Sequence, residues 1–478
     1  MNSILHDFKK MKRIAVRFCQ QEEWEKALRT IFYACGLMYT MNQKLVDLEL
    51  EELVHQIAKE NLQDINRNPG DEKTVIFYDG FGNIDRGLAY IYLEALLELE
   101  YHVIYVTCSS NIKKNNAIMQ KMKDGDLCIV AGATYIDKMH SLAEIVNRAN
   151  AQKVFIYTNP DDVVAMGVFS LYNGYLERIL VNLTDHAFWL GKSVSDIVIN
   201  FREFGYKVCL EKRGFRKEQL AYLPYYPHEL QEKFEGFQFE DNSRKLIFSG
   251  GALYKTFSKD NKYYSMVEEV LRQNEDVNFL YLGNGDTRKI KKLIRQFPGR
   301  AIYETERTDF FEIMKRSTFY LSTYPYNGGL MTQYALLAKR IPVTLCRKGI
   351  EKELSVRHAE SFWNFDSYNE CLSEVDRLLN QEQYRKQKED ELRRFLITKK
   401  QFKEKLQYIL SGSWEENNIS DEVVEFKGFQ ELPLETFNYF QYCRLFFRKG
   451  GFYMIRFFPV KFTLGAAGMI FEKIYKKY

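Results

Sequence analysis

Apolar residues recur at helical spacing over the first 68 positions, as in EEWEKALRTIFYACGLMY, with no β-branched run or turn cluster between them. The pattern predicts a helical segment over residues 1–70, closed by the breaker NRNPGDE. Trp24, Ala27 and the aromatics after them loosely match one tetratricopeptide unit. A single helical pair cannot bury its own face, so a cap packed on the next domain is expected. From Lys73 the pattern changes to short continuous apolar runs, TVIFYD, HVIYVT, LCIVAG, VFIYT, ILVNL and DIVIN, separated by helix-compatible stretches. Such runs mark strands covered on both faces, and their alternation with helices indicates a parallel sheet.

After a polar stretch at Glu235 to Asn242 the alternation restarts with KLIFSG, VNFLYLGNG, FYLSTYP and IPVTLC. The chain therefore reads as an α/β protein with two Rossmann-like domains facing a cleft, over residues 71–235 and 236–411. In such sheets ligands bind beyond the carboxyl ends of the strands. The charged stretch from Leu372 to Leu406 predicts one long solvated helix closing the second domain. Residues 412–478 form an aromatic and basic tail, with Arg444, Arg448, Lys449, Arg456 and Lys461 set among Phe446, Phe447, Phe452, Tyr453, Phe457 and Phe458. Gly450, Gly451 and Pro459 cut this tail into pieces too short to span a bilayer, so it is expected to lie along an anionic membrane surface.

Composition narrows the classes. Sixty-eight Lys plus Arg against 64 Asp plus Glu leave a formal charge of +4, without the concentrated positive field of a nucleic-acid binder. Eight scattered cysteines with no Cys-x-x-Cys pair argue against a zinc knuckle or a disulfide framework, and fit a reducing cytosol. No apolar stretch is long enough for a signal peptide or a spanning helix.

Candidate chemistry falls at strand ends. In FYDGFGNIDRG, Gly80 and Gly82 leave a strand and a helix begins near Arg86, a turn open to a ligand but common for steric reasons alone. Asn83, Asp85 and Arg86 continue that loop. In VNLTDHAFWLGKS, Asp185, His186, Trp189 and Gly191 form a dense polar and aromatic loop, where His186 could serve as an acid/base. Gly250 and Gly251 open a second-domain loop bearing Lys255, a cation that could neutralise a departing diphosphate. Gly283 follows the next strand. In STYPYNGGLMTQ, Asn327, Gly328 and Gly329 open a helix whose free N–H groups, dipole and Thr332 hydroxyl suit a phosphate, with Gln333 beside them. Asp124-Gly125-Asp126 spells a metal-binding Asp-x-Asp, but the acids precede a strand instead of ending one, so a turn and no metal are expected.

Four patches together resemble the GT-B glycosyltransferases, and within them the O-linked N-acetylglucosamine transferase and its bacterial protein-glucosyltransferase relatives. They are FGN at Phe81 to Asn83, DIVIN with QLAYLP at Gln219 to Pro224, LYK at Leu253 to Lys255, and GGLMT at Gly328 to Thr332. The resemblance implies a donor on the second domain, with Lys255 on its diphosphate, and an acceptor on the first. Two departures stand out. Ile84 replaces the histidine that follows FGN in the family, which leaves the base open between Asp85 and His186. Ala335 stands where many GT-B enzymes carry a ribose-holding acid.

The expected activity is metal-independent transfer of a sugar from a nucleoside-diphosphate sugar, a uridine one by resemblance, to a hydroxyl of a surface glycan, glycolipid or protein, with inversion and no cofactor. The expected location is the cytoplasm, at the inner face of the cytoplasmic membrane. A sugar-nucleotide epimerase and a non-catalytic GT-B-like partner subunit are the alternatives.

Overall fold

Buried parallel strands build both halves of the chain. The computed structural model describes residues 2–66, 68, 70–82, 87–108, 122–123, 125–228, 232–305, 307–347, 362–414, 426–448 and 451–475. It divides into one unit of Met1–Phe201, Gly205–Tyr222 and Ile409–Tyr478, and a second of Arg202–Phe204 and Leu223–Tyr408.

The first unit holds a sheet of β1 (Asp71–Asp79), β2 (His102–Thr107), β3 (Leu127–Ile129), β4 (Ala151–Tyr157), β5 (Glu177–Val181), β6 (Ile197–Asn200) and β7 (Leu220–Tyr222), in the order β3-β2-β1-β4-β5-β6-β7. Every pairing is parallel, with Ile76 of β1 opposite Ile104 of β2 and Val154 of β4. β1 is buried continuously from Thr74 to Asp79, which is why it reads as one unbroken apolar run.

Three helices, Asn2–Gln20, Trp24–Met41 and Leu48–Asn61, form the expected N-terminal segment. They are part of the first unit's core, where Ile31, Met38 and Val54 join Tyr78, Val154 and Phe169. A polar anchor fixes the third helix. Glu51 is buried and its carboxylate accepts the backbone N–H groups of Gly191 (2.9 Å), Lys192 (3.1 Å) and Ser193 (2.7 Å).

The C-terminal stretch, expected to lie along a membrane surface, has much of its aromatic surface packed within the first unit. Helices Lys427–Thr436, Tyr439–Arg448 and Pro459–Tyr475, with a 3-10 turn at Gly451–Arg456, belong to the same unit. Tyr442, Phe446, Met454, Phe458 and Phe462 sit in the core that the N-terminal helices line. The last two helices cross closely at Gly465, where a Cβ would lie 2.4 Å from the Cys443 carbonyl oxygen. Those N-terminal helices carry apolar surface beyond what the sheet covers, and the aromatic segment buries it.

The second unit repeats the architecture. Its strands β8 (Lys245–Gly250), β9 (Val277–Leu282), β10 (Ala301–Glu304), β11 (Phe319–Leu321), β12 (Pro342–Leu345) and β13 (Asn364–Phe365) pair in parallel in the order β10-β9-β8-β11-β12-β13. This is the Rossmann strand order, with a switch point between β8 and β11. β10 and β13 are edge strands too short to stand out as apolar runs. The single long helix expected after Leu372 is instead Tyr368–Asn380, Glu382–Glu391, a 3-10 turn and Lys399–Leu410. Thr398 and Gln401 cap the last helix reciprocally, with N···O distances of 2.8 and 3.2 Å, so the chain starts a new helix there. The first piece is not solvated either, since Cys371, Val375, Leu378 and Leu379 are buried.

Candidate active site

The two strands that flank the second unit's switch point supply the strongest cluster of candidate residues. β8 leads through Gly250 and Gly251 into the 3-10 turn Leu253–Thr256, which carries Lys255. β11 leads through Tyr324 to Asn327 into the helix Gly329–Leu337, with Gly328 at its N-cap. The two loops touch, for the Tyr326 N–H donates to the Lys255 carbonyl at 3.4 Å. Lys255 Nζ lies 3.7 Å from where a Gly328 Cβ would stand. The ammonium therefore sits at the helix N-terminus, where free N–H groups and the dipole are also positive. Burial pushes the Lys255 pKa below the ordinary lysine value, and no carboxylate among the described residues pairs with it. Two positive elements converge, with no carboxylate pairing the ammonium among the described residues.

Backbone geometry holds this arrangement. A Cβ at Gly283 would lie 1.9 Å from the Gly251 carbonyl oxygen, so the β9 loop must carry glycine for the β8 loop to pass. The Tyr281, Tyr303 and Tyr320 hydroxyls donate to the carbonyls of Gly251 (2.9 Å), Gly283 (2.8 Å) and Gly250 (3.1 Å). Gly250, Gly251 and Gly283 thus shape the loop that presents Lys255. The three tyrosines were not anticipated, because Tyr281 and Tyr320 read in sequence only as parts of apolar strands and Tyr303 falls on the short edge strand β10. Tyr254 is 59% exposed, with its ring edge-on to Tyr326 at 6.2 Å.

Gln333 does not line the opening. It is buried, and its Nε2 donates to the Tyr225 carbonyl at 2.9 Å. Thr332, one turn into the helix, is buried as well, and its backbone N–H donates to the Gly328 carbonyl at 2.9 Å. Asn327 lies in the turn before the helix. Ala335 is fully buried in the core with Phe248 and Tyr334.

In the first unit the described part of the glycine loop is organised by Asp79, which sequence reasoning did not single out. Its Oδ1 accepts the N–H groups of Phe81 and Gly82, both at 2.9 Å, and its Oδ2 accepts the Tyr105 hydroxyl at 2.6 Å. Gly82 takes φ +67°, within the left-handed region. Asn83, Asp85 and Arg86 lie outside the described residues. In the loop after β5, His186 is half-exposed with Nδ1 3.4 Å from Asp185 Oδ1, and its ring lies 5.8 Å from that of Phe429. Asp185 and Trp189 are buried, so neither offers a surface to an acceptor. Both are held by Arg213, whose Nη1 and Nη2 donate to the carbonyls of Asp185 (3.0 Å) and Ala187 (2.6 Å) while its guanidinium covers the Trp189 ring at 4.7 Å. Asp126 of the discounted Asp-x-Asp pairs with His102 at 2.8 Å, and Asp124 lies outside the described residues. Among the described residues no group of three or more His, Cys, Asp or Glu is placed to hold a metal ion.

No protein-family model matches the chain, and no curated protein matches it in sequence. Solved structures do match. A Thermobaculum terrenum O-GlcNAc transferase mutant is similar over 85% of this chain and 78% of its own, at 13% identity and a TM-score of 0.50. TarM is similar over 70% of this chain and 98% of its own, at 11% identity and a TM-score of 0.53. The fold is that of the GT-B glycosyltransferases. A Neisseria meningitidis UDP-GlcNAc 2-epimerase bound to UDP-GlcNAc also matches, over 71% of this chain and 99% of its own, at 9% identity and a TM-score of 0.46. The second unit has the Rossmann strand order, and the Lys255 and Gly328 loops leave its switch point.

Proposed function

We propose that the chain is a glycosyltransferase that takes a sugar from a nucleoside diphosphate, UDP by resemblance, and passes it to a hydroxyl of a membrane-proximal glycan, glycolipid or protein. One observation carries the reading: the Lys255 ammonium, short of solvent and without a carboxylate partner among the described residues, stands at the start of the helix Gly329–Leu337. A diphosphate there would meet a cation and the N–H groups of the helix, and both stabilise the charge that grows as the glycosidic bond breaks. Tyr254 offers an exposed ring beside it for a base or sugar face. Leaving-group stabilisation by these groups makes a metal unnecessary. The acceptor proton goes to Asp85 or to His186, whose Nδ1 lies 3.4 Å from Asp185 Oδ1. The bond from the anomeric carbon to the diphosphate breaks as the bond to the acceptor oxygen forms, with inversion.

The test is calorimetric titration with UDP, followed by measurement of UDP release from UDP-sugars with and without acceptor. Absence of nucleotide binding would overturn the donor assignment. A second reading, a non-catalytic GT-B-like partner, is favoured by one feature: Ala335 is packed into the core, so the helix Gly329–Leu337 presents no acid to a ribose. UDP binding without release from any UDP-sugar would support that reading.

A further inference from the structure

We propose that the first unit docks on an anionic phospholipid bilayer through one composite face, built from the elbow between the helices Tyr439–Arg448 and Pro459–Tyr475 and from the outer side of the helix Asn2–Gln20. The elbow exposes three large apolar groups close together along the chain. Phe452 is 81% exposed, Val460 66% and Ile455 45%. Their neighbours Met454, Phe458 and Phe462 are in the core, and the Phe452 ring rests 5.8 Å from that of Phe462, so the exposed groups are held outward on a fixed base. Arg448 and Arg456 are exposed at either end of the turn.

The helix Asn2–Gln20 runs against this elbow. Lys10 Nζ donates to the Phe457 carbonyl at 2.6 Å, and the Phe18 and Phe457 rings are 5.9 Å apart. On its outer side Lys9, Arg13, Val16 and Arg17 are exposed at the i, i+4, i+7 and i+8 spacing of one stripe. None of Lys9, Arg13, Arg17, Arg448 and Arg456 pairs with a carboxylate among the described residues, whereas Asp7 and Glu23 are committed to Lys461 and Lys26. Unpaired cations around protruding aromatic and aliphatic groups suit lipid phosphates above an acyl boundary. No helix of the described residues is long and apolar enough to cross a membrane, so the contact lies on the surface. The residues of this surface belong to the first unit and those of the nucleotide site to the second, and the two proposals stand or fall independently.

The experiment is sedimentation of the full chain with phosphatidylcholine vesicles, with and without phosphatidylglycerol, at low and high salt. A truncation is unsuitable, because Tyr442, Phe446, Phe458 and Phe462 are core. The wild-type chain is expected to bind only vesicles containing phosphatidylglycerol, and less at high salt. Arg13→Glu with Arg17→Glu and Arg456→Glu should weaken vesicle partitioning about 100-fold or more, since each cation contributes roughly five-fold. Phe452→Ser with Ile455→Ser and Val460→Ser should weaken it about 10-fold. Both sets change exposed side chains, so thermal melting and UDP affinity should be retained; if either set melts early, Phe452→Ser alone repeats the measurement. Failure of the wild type to sediment with phosphatidylglycerol vesicles, or equal sedimentation of wild type and variants, overturns the proposal.

Discussion

Lys461 places its ammonium 2.6 Å from Asp7 Oδ1 and 2.5 Å from Oδ2, a pair separated by 454 positions of sequence. The Tyr442 hydroxyl donates to the same carboxylate at 2.5 Å. Asp7 is buried and Lys461 nearly so, and the pair ties the first helix to the last. Removing one partner strands the other charge. Lys461→Ala should destabilise the first unit by about 3 kcal/mol. Chemical denaturation with and without the substitution checks this, and a change under about 1 kcal/mol would show that solvent reaches Asp7 in place of the ammonium.

Lys255 predicts opposite effects on function and on stability. Lys255→Ala removes the cation proposed to face the diphosphate and should lower turnover about 100-fold. In the absence of nucleotide, Lys255→Met should instead raise the melting temperature by about 2–4 °C, because the free protein carries that charge withdrawn from water without a partner. The lowered pKa also sets a pH dependence. The folded state releases its proton more readily than the unfolded one, so Lys255 opposes folding while charged, and that opposition fades as pH rises towards 10.5. Nucleotide affinity should move the other way, falling as pH rises through the lowered pKa. A flat affinity profile for Lys255→Met beside a falling one for the wild type would assign the effect to this group.

Gly328 offers a probe that leaves the fold alone. Its φ of −116° and ψ of 103° suit any residue, and a Cβ would make only ordinary contacts, the nearest being Lys255 Nζ at 3.7 Å. Gly328→Val should fold normally and weaken UDP binding at least 10-fold by filling the space beside the ammonium. Calorimetry at matched melting temperature is the measurement, and unchanged affinity would move the phosphates away from this helix.

Asp85→Asn and His186→Ala separate the two candidate bases. The variant that removes the base should lose two or more orders of magnitude in turnover and the acid limb of the pH profile, while the other keeps both. Full activity in both variants would favour the non-catalytic reading.

Two Rossmann-like units could be read from the chain because strands buried on both faces are written as uninterrupted apolar runs, a local property. The loops after KLIFSG and FYLSTYP were legible for the same reason, since glycines at strand ends announce where the backbone turns. What tertiary structure decided depends on contacts between distant segments. The aromatic C-terminus, locally indistinguishable from a membrane-lying tail, divides into a buried set held by Asp7 and the N-terminal helices and an exposed set at Phe452, Ile455 and Val460. Trp189 and Gln333 turned inward because Arg213 and the Tyr225 carbonyl, each more than 20 positions away, supply partners for groups around them. The sequence carries the spacing of polar and apolar groups, but which polar group meets which is fixed only when the chain has closed on itself.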